Sequence, residues 1–186
     1  MKYKEIDLQQ NTTAWKIWRN QGIGSSDAPI IMGENKFKSL SKLLYEKKNN
    51  ISSPKNNKMI KGSELEETAR QNYFEKFGIQ LIPLCIESAI YPWLRASLDG
   101  ISEERNHLVE IKCGESAYKQ AKKGRIPIYY YGQLQHQMMI TGLEVMYYWC
   151  FWPNRPGIRI LVQQDNPYID KLFIEEEKFF SLLSSY

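Results

Sequence analysis

Histidine is nearly absent from this chain of 186 residues: His107 and His136 are the only two. This argues against a histidine-rich metal site or an HNH-type nuclease centre, and a serine or cysteine triad has few candidate bases. Cysteine is scarce as well. Cys85, Cys113 and Cys150 lie far apart with no C-x2-C pair, which argues against structural zinc and against a four-cysteine iron–sulfur cluster. Three unpaired thiols fit a reducing compartment. No glycine-rich G-x4-G-K loop occurs, so no ATP motor is encoded here. There is no apolar run of membrane-spanning length, and Met1-Lys2-Tyr3-Lys4-Glu5 is not followed by a leader-like hydrophobic stretch. A cytoplasmic protein without membrane attachment is expected. Carboxylate chemistry is what remains.

What is present begins with composition. A chain with 42% hydrophobic and 13% aromatic residues can bury one good core, so a single domain over 1–186 is expected. Its N-terminal part, 1–57, reads as helical and 58–186 as the core. The net charge of +4 permits DNA binding without proving it, because a nuclease keeps acids in its site and bases around it.

Asp99 and the triplet Glu110-Ile111-Lys112 spell D-x10-E-x-K, the arrangement of a divalent-metal nuclease. Asp99 follows a small and apolar stretch and precedes Gly100, so it reads as the last residue of a strand entering a turn. His107 to Cys113 alternates in the strand period. Val109, Ile111 and Cys113 fall on one face; Leu108, Glu110 and Lys112 fall on the other. If the two strands form a hairpin, Asp99 and Glu110 converge on one hard cation with the Ile111 carbonyl as a third oxygen ligand. Such a cation polarises a phosphate and lowers the pKa of water, and Lys112 either orients or deprotonates that water. The spacing alone is a weak signal, since a solvated hairpin with a cross-strand ion pair matches it too.

Three segments add context. In Gly62-Ser63-Glu64-Leu65-Glu66, a helix opens that runs with Leu65, Ala69, Tyr73 and Phe77 at helical spacing until Gly78. Glu66 borders that stripe and is placed to serve a second metal or its waters; an acid in the first turn also simply complements the helix dipole. The segment from Tyr129 to Met138 reads as a helix with Leu134, Met138 and Thr141 on one side and Tyr130, Gln133 and Gln137 on an adjacent stripe. A glutamine amide there can donate to a phosphate oxygen while accepting from Lys112, and Gln133 is favoured over Gln135 and Gln137. Trp15 to Ala28 reads as helix, glycine turn, helix. Asn11 or Thr12 caps the first helix and Ser25 or Ser26 the second, bringing Arg19 near free backbone N–H groups that suit a phosphate.

The order W-x3-R…G-I-G-S-S, G-x2-L-E, S-L-D-G, E-I-K and G-Q-L-Q, spanning Trp15 to Gly142, resembles the lambda-exonuclease and YqaJ-type viral recombinase branch of the PD-(D/E)XK nucleases. No single piece is specific; five in one order make coincidence a poor explanation. The resemblance implies that Asp99 and Glu110 are metal-binding carboxylates, that the Ile111 carbonyl is a backbone ligand, that Lys112 is the catalytic lysine and that Glu66 is the helix-borne acid. It implies a catalytic position for Gln133, and a pocket for the 5′-phosphate of the digested strand at Arg19, Ser26 and Ser97. Mg²⁺ is the implied cofactor, with Mn²⁺ as substitute. The implied activity is 5′→3′ digestion of double-stranded DNA ends for phage-type recombination, with a ring trimer and a single-strand annealing protein as assembly and partner. Leu98 stands where the family name has proline, a change expected to be tolerated at a strand end.

The fold expected is α/β, with an αβββαβ core built on a mixed sheet. Strands are expected near Gln80–Glu87, Ala89–Leu98, Leu108–Cys113, Val145–Trp152 and Ile158–Gln163. Helices are expected at Ser39–Lys48 and Tyr130–Thr141 and after Pro167, where Ile169, Leu172, Phe173, Phe179 and Phe180 form an apolar stripe. Asn49 to Asn57 reads as a loop. Lys119, Lys122, Lys123 and Arg125 form a basic segment that either tracks a phosphate backbone or is a solvated helix face. Three other readings fit the same residues: a structure-specific or endonucleolytic enzyme of the same superfamily, a catalytically silent module that binds DNA ends, and an ordinary structural domain.

Overall fold

The computed structural model describes residues 2–51, 54 and 57–185. In chain order the elements are β1 (Tyr3–Ile6), α1 (Thr13–Asn20), β2 (Ile23–Gly24), a 3-10 turn (Ser25–Asp27), α2 (Ala28–Ile31), α3 (Leu40–Lys48), α4 (Asn57–Glu64) and α5 (Glu66–Phe77). They continue with β3 (Ile82–Ser88), β4 (Leu94–Ile101), β5 (Leu108–Cys113), α6 (Glu115–Ala121), α7 (Ile128–Thr141), β6 (Val145–Phe151), β7 (Ile158–Gln163) and α8 (Asn166–Ser184).

The strands of the described residues make one mixed sheet in the order β1-β3-β4-β5-β6-β7, with β2 added to β4. Neighbours are antiparallel except for β5 with β6 and β2 with β4, which are parallel. The parallel step from β5 to β6 needs a crossover, and α6 and α7 supply it across one face. That face holds the larger core, with Leu98, Leu108, Leu134, Met138 and Tyr148 fully buried. On the other face α5 packs Ala69 and Tyr73 against Val109, Ile111 and Trp149. The two faces of β5 divide as its alternation requires, Leu108 to the first core and Val109 and Ile111 to the second.

This is the α/β, PD-(D/E)XK type of fold, α5-β3-β4-β5-α7-β6 being its αβββαβ succession with α6 inserted. Several expectations change. The N-terminal part is not wholly helical: Tyr3–Ile6 forms an edge strand paired with β3, too short to show a pattern. The stretch after Gly62 is two helices, since α4 ends at Glu64 and α5 starts at Glu66. Of the loop expected at Asn49–Asn57, Asn57 begins α4, and Ser52, Ser53, Lys55 and Asn56 lie outside the described residues.

The strand expected at Ala89–Leu98 runs instead from Leu94 to Ile101. Ser88 explains the shift: its hydroxyl accepts the Ile90 and Tyr91 N–H groups at 3.3 and 3.1 Å, turning the chain there. Asp99 is therefore not the last residue of its strand, because Gly100 and Ile101 still pair with Val109 and Leu108. Leu98, likewise, is not at a strand end. It is fully buried opposite Leu84, where leucine fills the core.

Candidate active site

β4 and β5 run antiparallel with Gly100 opposite Val109, and their pairing goes no further than Gly100. There the strands part. Asp99 Oδ2 takes the Ile111 N–H at 2.9 Å, so the carboxylate occupies the gap that ladder bonds would otherwise fill. A residue's N–H and C=O point to the same side of a strand, and the Ile111 carbonyl consequently looks the same way as the amide that meets Asp99. From α5, Arg70 donates to the Asp99 carbonyl at 3.0 Å, holding the backbone of that step.

Glu110 faces α7 and is almost completely enclosed, with 1% exposure. The Gln133 amide donates to its Oε1 at 2.6 Å, the Gln137 amide donates to its Oε2 at 2.7 Å, and Lys112 forms an ion pair with Oε1. Three donors on one carboxylate compensate the cost of removing it from water. Burial lowers the Lys112 pKa, but Glu110 and Asp99 more than reverse that, so the side chain stands above its ordinary value and is an ammonium. The Asp99 carboxyl is pushed well above the usual carboxylate range, first by burial and then by Glu110, with Glu66 adding to it. Glu66, the first residue of α5, is half-buried, while Glu64 and Glu67 beside it are exposed. Of the three acids it alone turns toward the sheet.

Arg19 at the end of α1 contacts the Ser26 hydroxyl and lies 3.5 Å from Asp27. Trp15 donates its indole N–H to the Ser97 hydroxyl at 2.7 Å, and Arg19 sits over the Trp15 ring at 5.4 Å. One cavity of about 190 Å³ is lined by Arg19, Ser26, Ser97, Asp99 and Gln133, together with Trp15, Trp18, Gly24, Ser25 and Arg95. Five residues expected from sequence thus share one hollow; Glu110 joins through Gln133, and Lys112 through Glu110. A larger cavity of about 640 Å³, lined by Ile17, Lys47, Phe180 and Leu183 among others, holds none of them.

Sequence reading missed several supports of this site. Asp27, not a serine, organises the glycine turn: it accepts the Gly24 N–H at 2.9 Å and pairs with Lys47 at 2.8 Å, both side chains buried. Thr12 caps α1 as expected, by accepting the Trp15 N–H, but neither Ser25 nor Ser26 caps the following turn. Gln137 is fully buried against Glu110, whereas a glutamine on a polar stripe is ordinarily solvated. His136 also lies inside, between Glu176 Oε1 at 2.7 Å and the Arg95 carbonyl at 3.0 Å. A carbonyl only accepts, so His136 Nε2 carries a proton. Gly132 lets α7 come this close, since a β-carbon there would stand 2.8 Å from the Tyr168 hydroxyl. Spacing gave no hint of His136, whose partners are distant in sequence, or of the burial of Asp27 against Lys47 of α3.

The chain matches the YqaJ-like viral recombinase domain over residues 14–144, most of its length. It belongs to that family. It is 27% identical over 175 residues to the uncharacterized protein YqaJ of Bacillus subtilis (strain 168), covering 90% of this chain and 54% of that relative, so the chain spans about half of the relative's length. Among solved structures it is similar to an alkaline exonuclease (LHK-Exo) from Laribacter hongkongensis, with a TM-score of 0.79, 23% identity and 92% of each chain covered. The same exonuclease in complex with dAMP gives a TM-score of 0.77 at 24% identity, again over 92% of each chain. A phage-related exonuclease from Haemophilus somnus 129PT has a TM-score of 0.66 at 18% identity, over 87% of this chain and 93% of that one.

The donors available to a metal are hard oxygens. Among the described residues no three histidine, cysteine, aspartate or glutamate side chains form a ready-made cage. Burial, Glu110 and Glu66 nonetheless disfavour a charge on Asp99 against the pull of Lys112, and a divalent cation would relieve that cost. The donor set suits Mg²⁺ or Mn²⁺ bound with waters rather than a zinc-type site.

Proposed function

We propose that this YqaJ-family domain, acting over its whole length, is a Mg²⁺-dependent deoxyribonuclease that digests double-stranded DNA ends from 5′ to 3′. One observation carries the reading: the cavity that holds Arg19, Ser26 and Ser97 also holds Asp99 and Gln133. An anion pocket and an acidic centre in one hollow fit a terminal phosphate bound at one end and an adjacent phosphodiester at the other.

Asp99, Glu110 and the Ile111 carbonyl would hold the cation, with Glu66 serving a second ion or reaching the first through water; bound there, it would supply Lewis acidity to the scissile phosphate and make hydroxide accessible near neutral pH. The chain's own groups do the rest. Gln133 and Gln137 fix Glu110 from the same helix face. Lys112, held as an ammonium, orients the attacking water and offers positive charge to the phosphate as negative charge grows on it. Arg19 and the Ser26 and Ser97 hydroxyls hold the terminal 5′-phosphate, which places the chain for hydrolysis one nucleotide inward.

Mn²⁺ is expected to substitute for Mg²⁺. A ring trimer, a single-strand annealing partner and a cytoplasmic location belong to the same reading, and family membership is their support. No helix of the described residues is long and apolar enough to cross a membrane.

The deciding experiment is digestion of end-labelled linear duplex, with and without Mg²⁺, bearing either a 5′-phosphate or a 5′-hydroxyl. Metal-dependent release of nucleotides from 5′-phosphorylated ends is expected. Equal digestion of both ends would favour an endonucleolytic or structure-specific enzyme, and binding without digestion would favour a silent end-binding module.

A further inference from the structure

A row of aromatic rings leads from Lys112 to the protein surface. Lys112 Nζ lies over the Tyr130 ring at 4.9 Å, Tyr130 meets Tyr129 with centroids 4.6 Å apart, and Tyr129 meets Phe37 edge-on at 5.6 Å. Phe37 is 70% exposed, and Ile128, one residue before Tyr129, is 58% exposed. An apolar ring so open to water on a floppy loop would need no explanation. This loop is built. The Asn35 side chain accepts the Phe37 and Lys38 N–H groups at 2.8 and 3.2 Å, and Lys38 is tied to Glu46 of α3 at 2.6 Å.

Cations accompany the row in the chain. Lys36 sits over the Phe37 ring at 5.2 Å, and exposed Lys122, Lys123 and Arg125 lie on the turn that leads into Ile128 and Tyr129. Aromatic faces that alternate with positive charge recognise unpaired nucleotides: bases stack on the rings while lysine and arginine follow the phosphates. A protein partner would call for a broader apolar patch without that density of cations.

We propose that Phe37 and Tyr129 form a stacking platform for unpaired bases of a DNA strand at the mouth of the acidic centre. The proposal rests on the nuclease reading, because digesting one strand from an end leaves the other unpaired. A ring row that starts at Lys112 is placed to receive bases freed at that point, from either strand.

The test uses the full chain carrying Asp99→Ala, so that DNA is bound and not consumed. The probes are a blunt 5′-phosphorylated duplex, the same duplex with a 3′ overhang, and each with 2-aminopurine at the terminal position of one strand or the other. Stacking quenches that base. Phe37→Ala and Tyr129→Ala are each expected to abolish the quenching and to weaken overhang binding about 5- to 100-fold, with blunt-duplex binding changed less than twofold. Phe37→Trp and Tyr129→Phe should keep both properties. Which labelled strand is quenched identifies the strand on the platform.

Unchanged quenching and overhang affinity in the two alanine variants would overturn the proposal, as would an equal loss on blunt and overhanging duplex. Digestion by the unmodified chain is scored separately. If it digests duplex while the alanine variants bind like their parent, the platform fails alone. If it digests nothing yet ring-dependent binding of the overhang persists, the nuclease reading fails and the platform stands as a single-strand binding site.

Discussion

The Gln137 amide donates to Glu110 Oε2 at 2.7 Å from a side chain with no solvent exposure, and the Gln137 Oε1 atom has no hydrogen-bond partner. An amide buried at that expense is kept for its donor. Replacing Gln137 by leucine would leave Glu110 short of one neutral donor in a closed space. Thermal unfolding should show a loss of about 1–3 kcal/mol, and digestion should fall with it. Gln137→Glu would set a second carboxylate against Glu110 and is expected to be worse than leucine in metal-free buffer. A glutamate variant as stable as the parent would show that the donor is unimportant.

A charge on Asp99 is destabilised, first by burial and then by Glu110, so replacing it by a neutral group has two opposite consequences. Asp99→Asn should raise the melting temperature in EDTA, because an uncharged group escapes the cost of burying a charge and then the repulsion by Glu110 and Glu66 and still accepts the Ile111 N–H. It should also abolish digestion while leaving DNA binding largely intact. Added Mg²⁺ should raise the melting temperature of the parent and not of Asp99→Asn. A variant stabilised by Mg²⁺ to the same extent would place the cation elsewhere.

In the proposed anion pocket, beside Ser26 and Ser97, Arg19 would give a terminal phosphate a charge-assisted contact. Arg19→Ala should reduce the preference for 5′-phosphorylated over 5′-hydroxyl ends by about one to two orders of magnitude, from the ~1.5–3 kcal/mol of such a bond. Arg19→Lys should recover only part of it, since an ammonium cannot match two phosphate oxygens in a plane. Competition digestion of the two ends measures the ratio directly.

The buried Asp27–Lys47 pair makes stability depend on acidity. Burial pushes the Asp27 carboxyl up, and Lys47 and Arg19 more than reverse it, bringing it from 3.8 to about 2. A folded-state value below the unfolded one means that the folded chain holds its proton less tightly. The stabilisation is therefore fully present above about pH 4 and is lost as pH falls through about 2, a contribution of about 2–3 kcal/mol. Urea midpoints for the parent and Asp27→Asn should differ at pH 5 and converge as pH approaches 2. A gap that stays constant over that range would contradict the ionised pair.

Motif order and strand alternation carried most of the candidate site. Glu110 and Lys112 share a face because a strand has a period of two, and Arg19 and Ser26 stand on either side of a turn that Gly22 and Gly24 announce. Leu40–Lys48 and Asn166–Ser184 are legible from their apolar spacing and, for the second, from Pro167; their caps, Ser39 and Asp165, each accepting a backbone N–H of the first turn, come from the structure. Strand limits were less so. Ser88 turns the chain and moves the start of β4, and the sequence contains no mark of which serine will do that.

By itself the sequence determined the chemistry available, two carboxylates and a lysine in a D…ExK order with almost no histidine to compete, and it determined which faces of its strands and helices are apolar. Tertiary structure alone decided that Glu110 is enclosed by Gln133 and Gln137, that Asp27 of the glycine turn is buried against Lys47, and that the arginine pocket opens onto Asp99. The reason is range. Local patterns fix what a residue is and the side on which it lies, whereas burial, charge pairing and the meeting of α1, α7 and β4 depend on groups far apart in the chain being packed against one another, which no short stretch of sequence encodes.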